Sequence, residues 1–304
     1  MYNTHDPRVL PLKNGVRPSC LVLPSKGDGT LLNYLCQRLS LVAAEEWIAR
    51  MSRGEVKDEF GNLIDPNTPF LPNVRIYYYR EVDVEPDVPF AVDVIYEDEH
   101  IVVADKPHFL PVVPGGRYLQ NTLLVRLQQQ LGHAELSPAH RIDRDTAGLV
   151  LFSVRRSDRG AYQALFRDRC VRKVYEAIAP WKKGVFPQNY ASRLAESGDF
   201  IRMHEVAGEP NSFTRIDVLE CNDRWARYQL EPSTGKRHQL RVQMASLGLG
   251  LKGDALYPQV IDRDEEDFSE PLQLLAKELS FVDPLTRVEH HFVSTRKLQE
   301  LPLI

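Results

Sequence analysis

The stretch "HRIDRDTAGLVLFS", His140 to Ser153, sets a dense charge cluster against an apolar run. Its first six residues place His140, Arg141 and Arg144 beside Asp143 and Asp145. From Ala147 the composition turns apolar, and "GLVLFSV" reads as a buried strand. A solvated Arg–Asp network contributes little energetically. Ala147, Gly148 and Leu149 lead straight into the strand, which argues against full exposure of the cluster.

The flanks of this stretch alternate strand and helix patterns. Upstream, "FAVDVIYEDEHIVVADKP" reads as two strands around a tight acidic turn at Glu97 to Glu99, and "TLLVRLQQQLG" as an amphipathic helix ended by Gly132. Downstream, "SDRGAYQALFRDR" predicts a helix with Ser157 as N-cap, followed by a strand at "VRKVYEAIAPW". Further strands are expected at "TRIDVLEC", "RWARYQLEP", "ELSFVDP" and "VEHHFVS", with a helical "RHQLRVQMASLG" between them. This half of the chain is therefore α+β with several antiparallel strands.

At 304 residues the chain is long for one core, so two domains are expected. Residues 1–25 carry four prolines and read as an extended arm. Residues 26–85 predict two short helices and a small sheet, and 86–91 a linker without a packing face. The catalytic candidate spans 92–304. No window approaches the ~18 to 20 consecutive apolar residues of a membrane span, and no apolar signal region is seen at the N-terminus. Cys20, Cys36, Cys170 and Cys221 form no CxxC pair, which fits free thiols in the cytoplasm better than a zinc site or disulfide frame.

The formal net charge is −4, yet Arg141 to Lys173 holds nine basic residues against four acidic ones. Acids gather elsewhere, as in "DRDEEDFSE", Asp262 to Glu270. A basic island in an acidic chain points to a localised anionic partner.

Three readings of Asp143 and Asp145 compete. "DRDT" matches the DxDxT pattern of magnesium-dependent aspartyl phosphatases, but those need an apolar strand running into the first aspartate, and "LSPAHR" is a poor strand. A surface network is the second. The third is a lone carboxylate that attacks or stabilises a carbocation-like sugar centre; it needs a basic partner, because burial alone would raise its pKa.

The motif resembles the HRLDxxTSGLLLF signature of the RluA-type pseudouridine synthases. "DVIYEDEHIVVADKPHFLPVVPGG" is similar to that family's strand-turn-strand entry, "RKVYEAIAP" to its KxY strand, and "PSTGKRHQLRVQMASLGLGLKGDALY" to its TGRxHQIRxHxxxxGxPIxGDxxY segment. These blocks occur in the family's order and cover most of residues 92 to 295. Residues 26–85 resemble the small S-four-type RNA-binding module that often precedes this domain. The resemblance implies a mixed, mainly antiparallel sheet with flanking helices, preceded by the small α/β module. It also implies isomerisation of uridine to pseudouridine in structured rRNA or tRNA, with base flipping and without metal or organic cofactor. A monomer is expected, with RNA as partner and neither DNA nor membrane.

By the family pattern Asp143 is the essential carboxylate, either attacking the anomeric carbon or stabilising charge while a sugar proton leaves. Arg241 matches the basic residue paired with it. Tyr175 matches the tyrosine that stacks on the flipped base and moves a proton from carbon 5. Arg141 fills the space the base vacates. Lys173, Lys236, Arg237 and Leu240 are expected to contact substrate, His140 and Thr146 to shape the motif loop, and Asp145 to be structural. Four positions depart from the pattern: Ile142 for leucine, Ala147 for serine, Lys236 for arginine and Gln243 for a frequent histidine. In the N-terminal module Glu45, Glu46, Glu55, Asp58, Glu59 and Asp65 outnumber Arg50, Arg53 and Lys57, which weakens its case as an RNA surface. The alternatives are an RNA-binding protein with an inactive synthase domain, or the magnesium phosphatase.

Overall fold

The structure is a computed structural model that describes residues 10–40, 42–82, 84–184, 188–198, 202–264 and 266–301. The chain divides into two compact units, Met1–Glu85 and Pro86–Ile304.

The first unit contains β1 (Ser19–Val22), α1 (Leu31–Arg38), α2 (Ala44–Ser52), β2 (Val56–Asp58) and β3 (Arg75–Tyr78). Its three strands are antiparallel in the order β1-β3-β2. Thr30 caps α1 by accepting from the Asn33 N–H at 3.3 Å. Leu31, Leu35, Trp47, Met51, Val56 and Ile76 share one core. The expected arm is thus partly a strand: Ser19–Val22 pairs with β3, and Leu23 enters the core. Residues 1–9 of that arm lie outside the described residues. Several of the module's cations are paired with acids: Arg50 with Glu46, Arg53 with Glu81 at 3.0 Å, and Lys13 with Glu55 at 2.7 Å.

The second unit begins with β4 (Asp93–Glu97), β5 (Ile101–Lys106), α3 (Leu123–Leu131), β6 (Ser137–Pro138) and β7 (Ala147–Ser153). There follow α4 (Arg159–Arg167), β8 (Arg172–Pro180), β9 (Asn189–Glu196), β10 (Met203–Val206), β11 (Ser212–Cys221) and β12 (Trp225–Pro232). Helix α5 (Gln239–Ser246), β13 (Leu274–Val282) and β14 (Glu289–Val293) complete it. Among the described residues one 11-stranded sheet runs β10-β9-β11-β12-β8-β13-β7-β5-β4, with β14 on β13 and β6 on β7. Every pairing is antiparallel except β13 with β7.

The continuous apolar run of β7 has a simple cause: both of its faces are covered. Val150 and Phe152 pack with Leu123 and Leu127 of α3, while Leu149 and Leu151 pack with Tyr162 and Leu165 of α4. Three expectations change. Ser157 does not cap α4; it sits in a 3-10 turn, Arg156–Asp158, and donates to Asp158 Oδ1 at 2.6 Å, leaving Asp158 at the cap position. Residues 86–91 do have a packing face, since Val88 is buried with Val102 and Leu110. Strands β9 and β10 had no apolar signature, because an inward position of β9 is Ser192, satisfied by hydrogen bonds to Ser212.

Gly148 explains how β7 accepts a parallel neighbour. Its φ is +111°, and a Cβ there would lie 2.3 Å from the Ala276 carbonyl oxygen of β13. Ala276 pairs with Gly148 on one side and with Tyr175 of β8 on the other. The missing side chain therefore sets how closely the tyrosine strand can approach the motif strand. Gly148→Ala is expected to destabilise the protein by more than about 2 kcal/mol, read from the denaturant midpoint. An unchanged midpoint would show that β13 gives way freely.

Candidate active site

The motif loop, residues 140–146, lies between β6 and β7 and forms one wall of a cavity of about 750 Å³. The opposite walls come from β8, which supplies Lys173 and Tyr175, and from residues 232–241, which end in α5. The sheet order makes this possible: β13 spaces β7 from β8, and α5 shares a core with β8 and β12.

Arg241 organises the site. It is 2% exposed and donates from Nε to Asp254 Oδ2 at 2.9 Å and from Nη2 to Asp254 Oδ1 at 2.7 Å. Its remaining nitrogen, Nη1, donates to Asp143 Oδ2 at 3.2 Å. Burial alone would lower the guanidinium's pKa, but the hydrogen bonds and charge of Asp254, with Asp143 and Asp145 behind, raise it instead. Asp254 is fully buried and also accepts from the backbone N–H groups of Leu256 and Tyr257 at 2.8 and 3.1 Å. Asp143 is 25% exposed at the cavity wall.

The ring of Tyr175 packs against the Tyr228–Leu230–Leu240 core and faces the cavity. Burial, and then the negative charge of Asp143, push its phenol well above the ordinary tyrosine value. Its hydroxyl has no hydrogen-bond partner among the described residues.

Two side chains, the buried Lys106 and the half-buried His108, hold the motif loop. Lys106, at the end of β5, donates to the Arg144 carbonyl at 2.8 Å and to the Pro107 carbonyl at 2.9 Å. His108 donates from Nδ1 to the Asp145 carbonyl at 2.7 Å; burial brings its pKa down to about 4. Asp145 accepts from Arg144 Nε at 2.9 Å, and Arg144 reaches Tyr118 Oη at 3.1 Å. Burial would raise the Asp145 carboxyl, but Arg144 and Arg241 hold it low. Thr146 is buried, and its N–H closes a turn on the Asp143 carbonyl at 3.2 Å.

His140 is not one of the cations. Its ring stacks on Phe166 with centroids 4.1 Å apart, its Nε2 accepts from the Leu151 N–H at 3.2 Å, and burial lowers its pKa to about 3. Arg141 is exposed at the cavity rim with no partner among the described residues. Lys173 donates to the Thr234 carbonyl at 2.9 Å, and burial plus Arg169 lower it to about 8. Lys236 and Arg237 are exposed at the rim, the latter 3.3 Å from the Arg202 carbonyl. Leu240 lines the cavity from within the core. All the site residues expected from the sequence therefore border or support one cavity.

Five contributors were not singled out from the sequence: Lys106, His108, His238, Asp254 and Tyr257. His238 and the "GDALY" residues lie inside the quoted segment, but only folding shows that Asp254 faces Arg241. Lys106 was legible only as a lysine at the end of an apolar run.

A carboxylate held by a buried cation, in a cavity rimmed by exposed cations, suits an enzyme site for an anionic substrate. Comparison with known proteins narrows the class. Residues 100–246 match the family model described as RNA pseudouridylate synthase. An uncharacterised RNA pseudouridine synthase of Synechocystis sp. is 31% identical over 235 residues, covering 75% of this chain and 79% of the relative. The dual-specificity RNA pseudouridine synthase RluA of Vibrio cholerae is 36% identical over 202 residues, covering 64% and 78%. Among solved structures, human RNA pseudouridylate synthase domain containing 4 is 26% identical with a TM-score of 0.52, covering 68% of this chain and 88% of that one. The chain belongs to the RNA pseudouridine synthase family and is of the RluA type.

Asp254→Asn is expected to strip Arg241 of its buried counter-charge, costing about 3 to 5 kcal/mol of stability and most of the activity. A variant as stable as wild type in urea would contradict that dependence. Lys106 gives a pH signature. Burial lowers its pKa from 10.5 to about 7, so between those values the folded state binds fewer protons than the unfolded chain. Through this group stability rises as pH climbs from 7 towards 10.5. Lys106→Met should flatten that rise in chemical denaturation at several pH values; an identical slope would exclude it.

Proposed function

We propose that the cavity receives a uridine flipped out of a structured ribosomal or transfer RNA, and that Asp143 carries its isomerisation. The observation behind this reading is the 3.2 Å contact between Arg241 Nη1 and Asp143 Oδ2 at the wall of a basic-rimmed cavity beside Tyr175. Arg241 holds one carboxylate oxygen by a charged hydrogen bond and leaves the other to face the sugar.

The reaction breaks the bond from N1 to the anomeric carbon and forms one from that carbon to C5; the proton on C5 leaves and N1 gains one, so composition is unchanged. Asp143 either bonds the anomeric carbon as N1 leaves and is released when C5 attacks that carbon, or stabilises charge while a sugar proton is removed and then returned as the new bond forms; both routes use its ionised form. Tyr175 stacks on the base. Its hydroxyl has no partner among the described residues and lines the cavity, which supports a role in moving the proton from C5.

Arg141, at the rim and unpaired among the described residues, fits the gap left in the RNA stack, where a cation offsets part of the few kcal/mol of flipping. Lys236 and Arg237 fit backbone phosphates. The free thiols Cys20, Cys36, Cys170 and Cys221 fit a cytoplasmic enzyme, which we take to act as a monomer.

The test is tritium release from RNA labelled at C5 of uridine, taken from cells lacking the protein. Wild type should release tritium, and Asp143→Ala should lower the rate by at least about 10³-fold while remaining folded. Release by the folded variant at the wild-type rate would remove Asp143 from the chemistry.

A further inference from the structure

His238 lies on the cavity wall directly before α5, with a backbone φ of +54° and its side chain 12% exposed. Its Nε2 is 3.9 Å from Asp143 Oδ1, the oxygen that Arg241 does not hold. Its Nδ1 is 3.0 Å from the hydroxyl of Tyr257.

A proton inventory selects the tautomer that leaves no donor of the His238–Tyr257 pair unused. The Tyr257 oxygen already accepts the Met203 backbone N–H at 2.7 Å. Its own proton has one acceptor within reach among the described residues, which is His238 Nδ1. With Nδ1 accepting, the single proton of a neutral imidazole must sit on Nε2, and that nitrogen points at Asp143. The groups facing the ring are Asp143 from the motif loop, Arg241 from α5, Arg237 before it, and Asp254 and Tyr257 after it. Burial, aided by the two arginines, outweighs the two aspartates and lowers the histidine's pKa, so the ring is neutral near pH 7.

We propose that His238 is a positioning residue for Asp143, locked by Tyr257 as the Nε2–H tautomer so that it closes onto Oδ1 when the target nucleotide enters. Arg241 and His238 then hold the carboxylate from its two oxygens. In the free protein 3.9 Å is too long for a hydrogen bond. Contacts of this kind tighten when substrate fills the site. The inference rests on Asp143 being the reacting carboxylate.

Two substitutions separate the two nitrogens. In His238→Asn the side-chain oxygen stands near Nδ1 and keeps an acceptor for Tyr257, but the donor towards Asp143 is gone. Asparagine also tolerates the left-handed backbone. In His238→Gln the amide nitrogen reaches the place of Nε2 and restores that donor. Single-turnover and steady-state tritium release should show kcat lowered about tenfold to hundredfold in the Asn variant, with KM and RNA affinity within about twofold. The Gln variant should recover kcat to within about threefold of wild type. A merely structural histidine predicts the reverse order, and that order, or equal damage in two folded variants, overturns the proposal.

Nitrogen-15 correlation spectra of the histidine rings give an answer that needs no folded variant. An Nε2–H resonance for His238 between about pH 6 and 8 supports the lock, and an Nδ1–H form overturns it. Asp143→Ala runs alongside. If it is inactive while His238→Asn is fully active, only this inference falls; if it is active, the role of Asp143 falls as well.

Discussion

A guanidinium removed from water must find counter-charge and acceptors, and the site is arranged around meeting that requirement for Arg241. Asp254 meets it from below with two hydrogen bonds and a full charge, and Asp143 receives the one nitrogen left over. Two carboxylates on one cation leave an excess of negative charge at the cavity wall. Arg144 and Lys106 stand close enough to temper it, Arg144 by pairing with Asp145. The arginine cannot drift, because α5 is buried from Gln239 to Met244 and its polar residues are tied to the sheet. Gln239 bonds Thr214 and Thr234, and Gln243 bonds Thr214, Ser192 and Ser212.

That network accounts for a departure from the family pattern. Gln243 stands where histidine is frequent, and its amide both accepts from Thr214 Oγ1 at 2.6 Å and donates towards two serine hydroxyls at 3.1 and 3.2 Å. A neutral side chain with a donor end and an acceptor end satisfies three buried hydroxyls, and its bonds do not change with pH. Ala147 is equally understandable: it is 1% exposed, packed with Ile178 and Leu275, where a hydroxyl would need a partner. Ile142 packs against the Val150–Phe152 face and keeps the apolar contact that leucine would make.

The motif loop is held from both ends. Its exit is set by the close passage of β13 over Gly148, and its carbonyls are taken by Lys106 and His108 from the β5 side. The charge crowding at residues 140–145 thus resolves into distinct tasks. His140 is a neutral stacked ring, Asp145 and Arg144 brace each other, and Asp143 and Arg141 are presented to the cavity.

The sequence by itself determined the local elements with strong periodicity. These include β7 with its unbroken apolar run, α3 between Thr122 and the left-handed Gly132, and the α+β class. It also determined the motif residues Asp143, Tyr175 and Arg241, because their blocks can be read one at a time. Strands whose inward residues are polar escaped it: β9 turns Ser192 inward, and a buried serine is recognisable only once Ser212 and Gln243 are seen beside it. The charge state of His140, the raised pKa of the Tyr175 phenol and the partnership of Arg241 with Asp254 and Asp143 were decided by the tertiary structure alone. Each depends on burial and on groups from distant parts of the chain, and both quantities come into being only when the sheet brings those segments together.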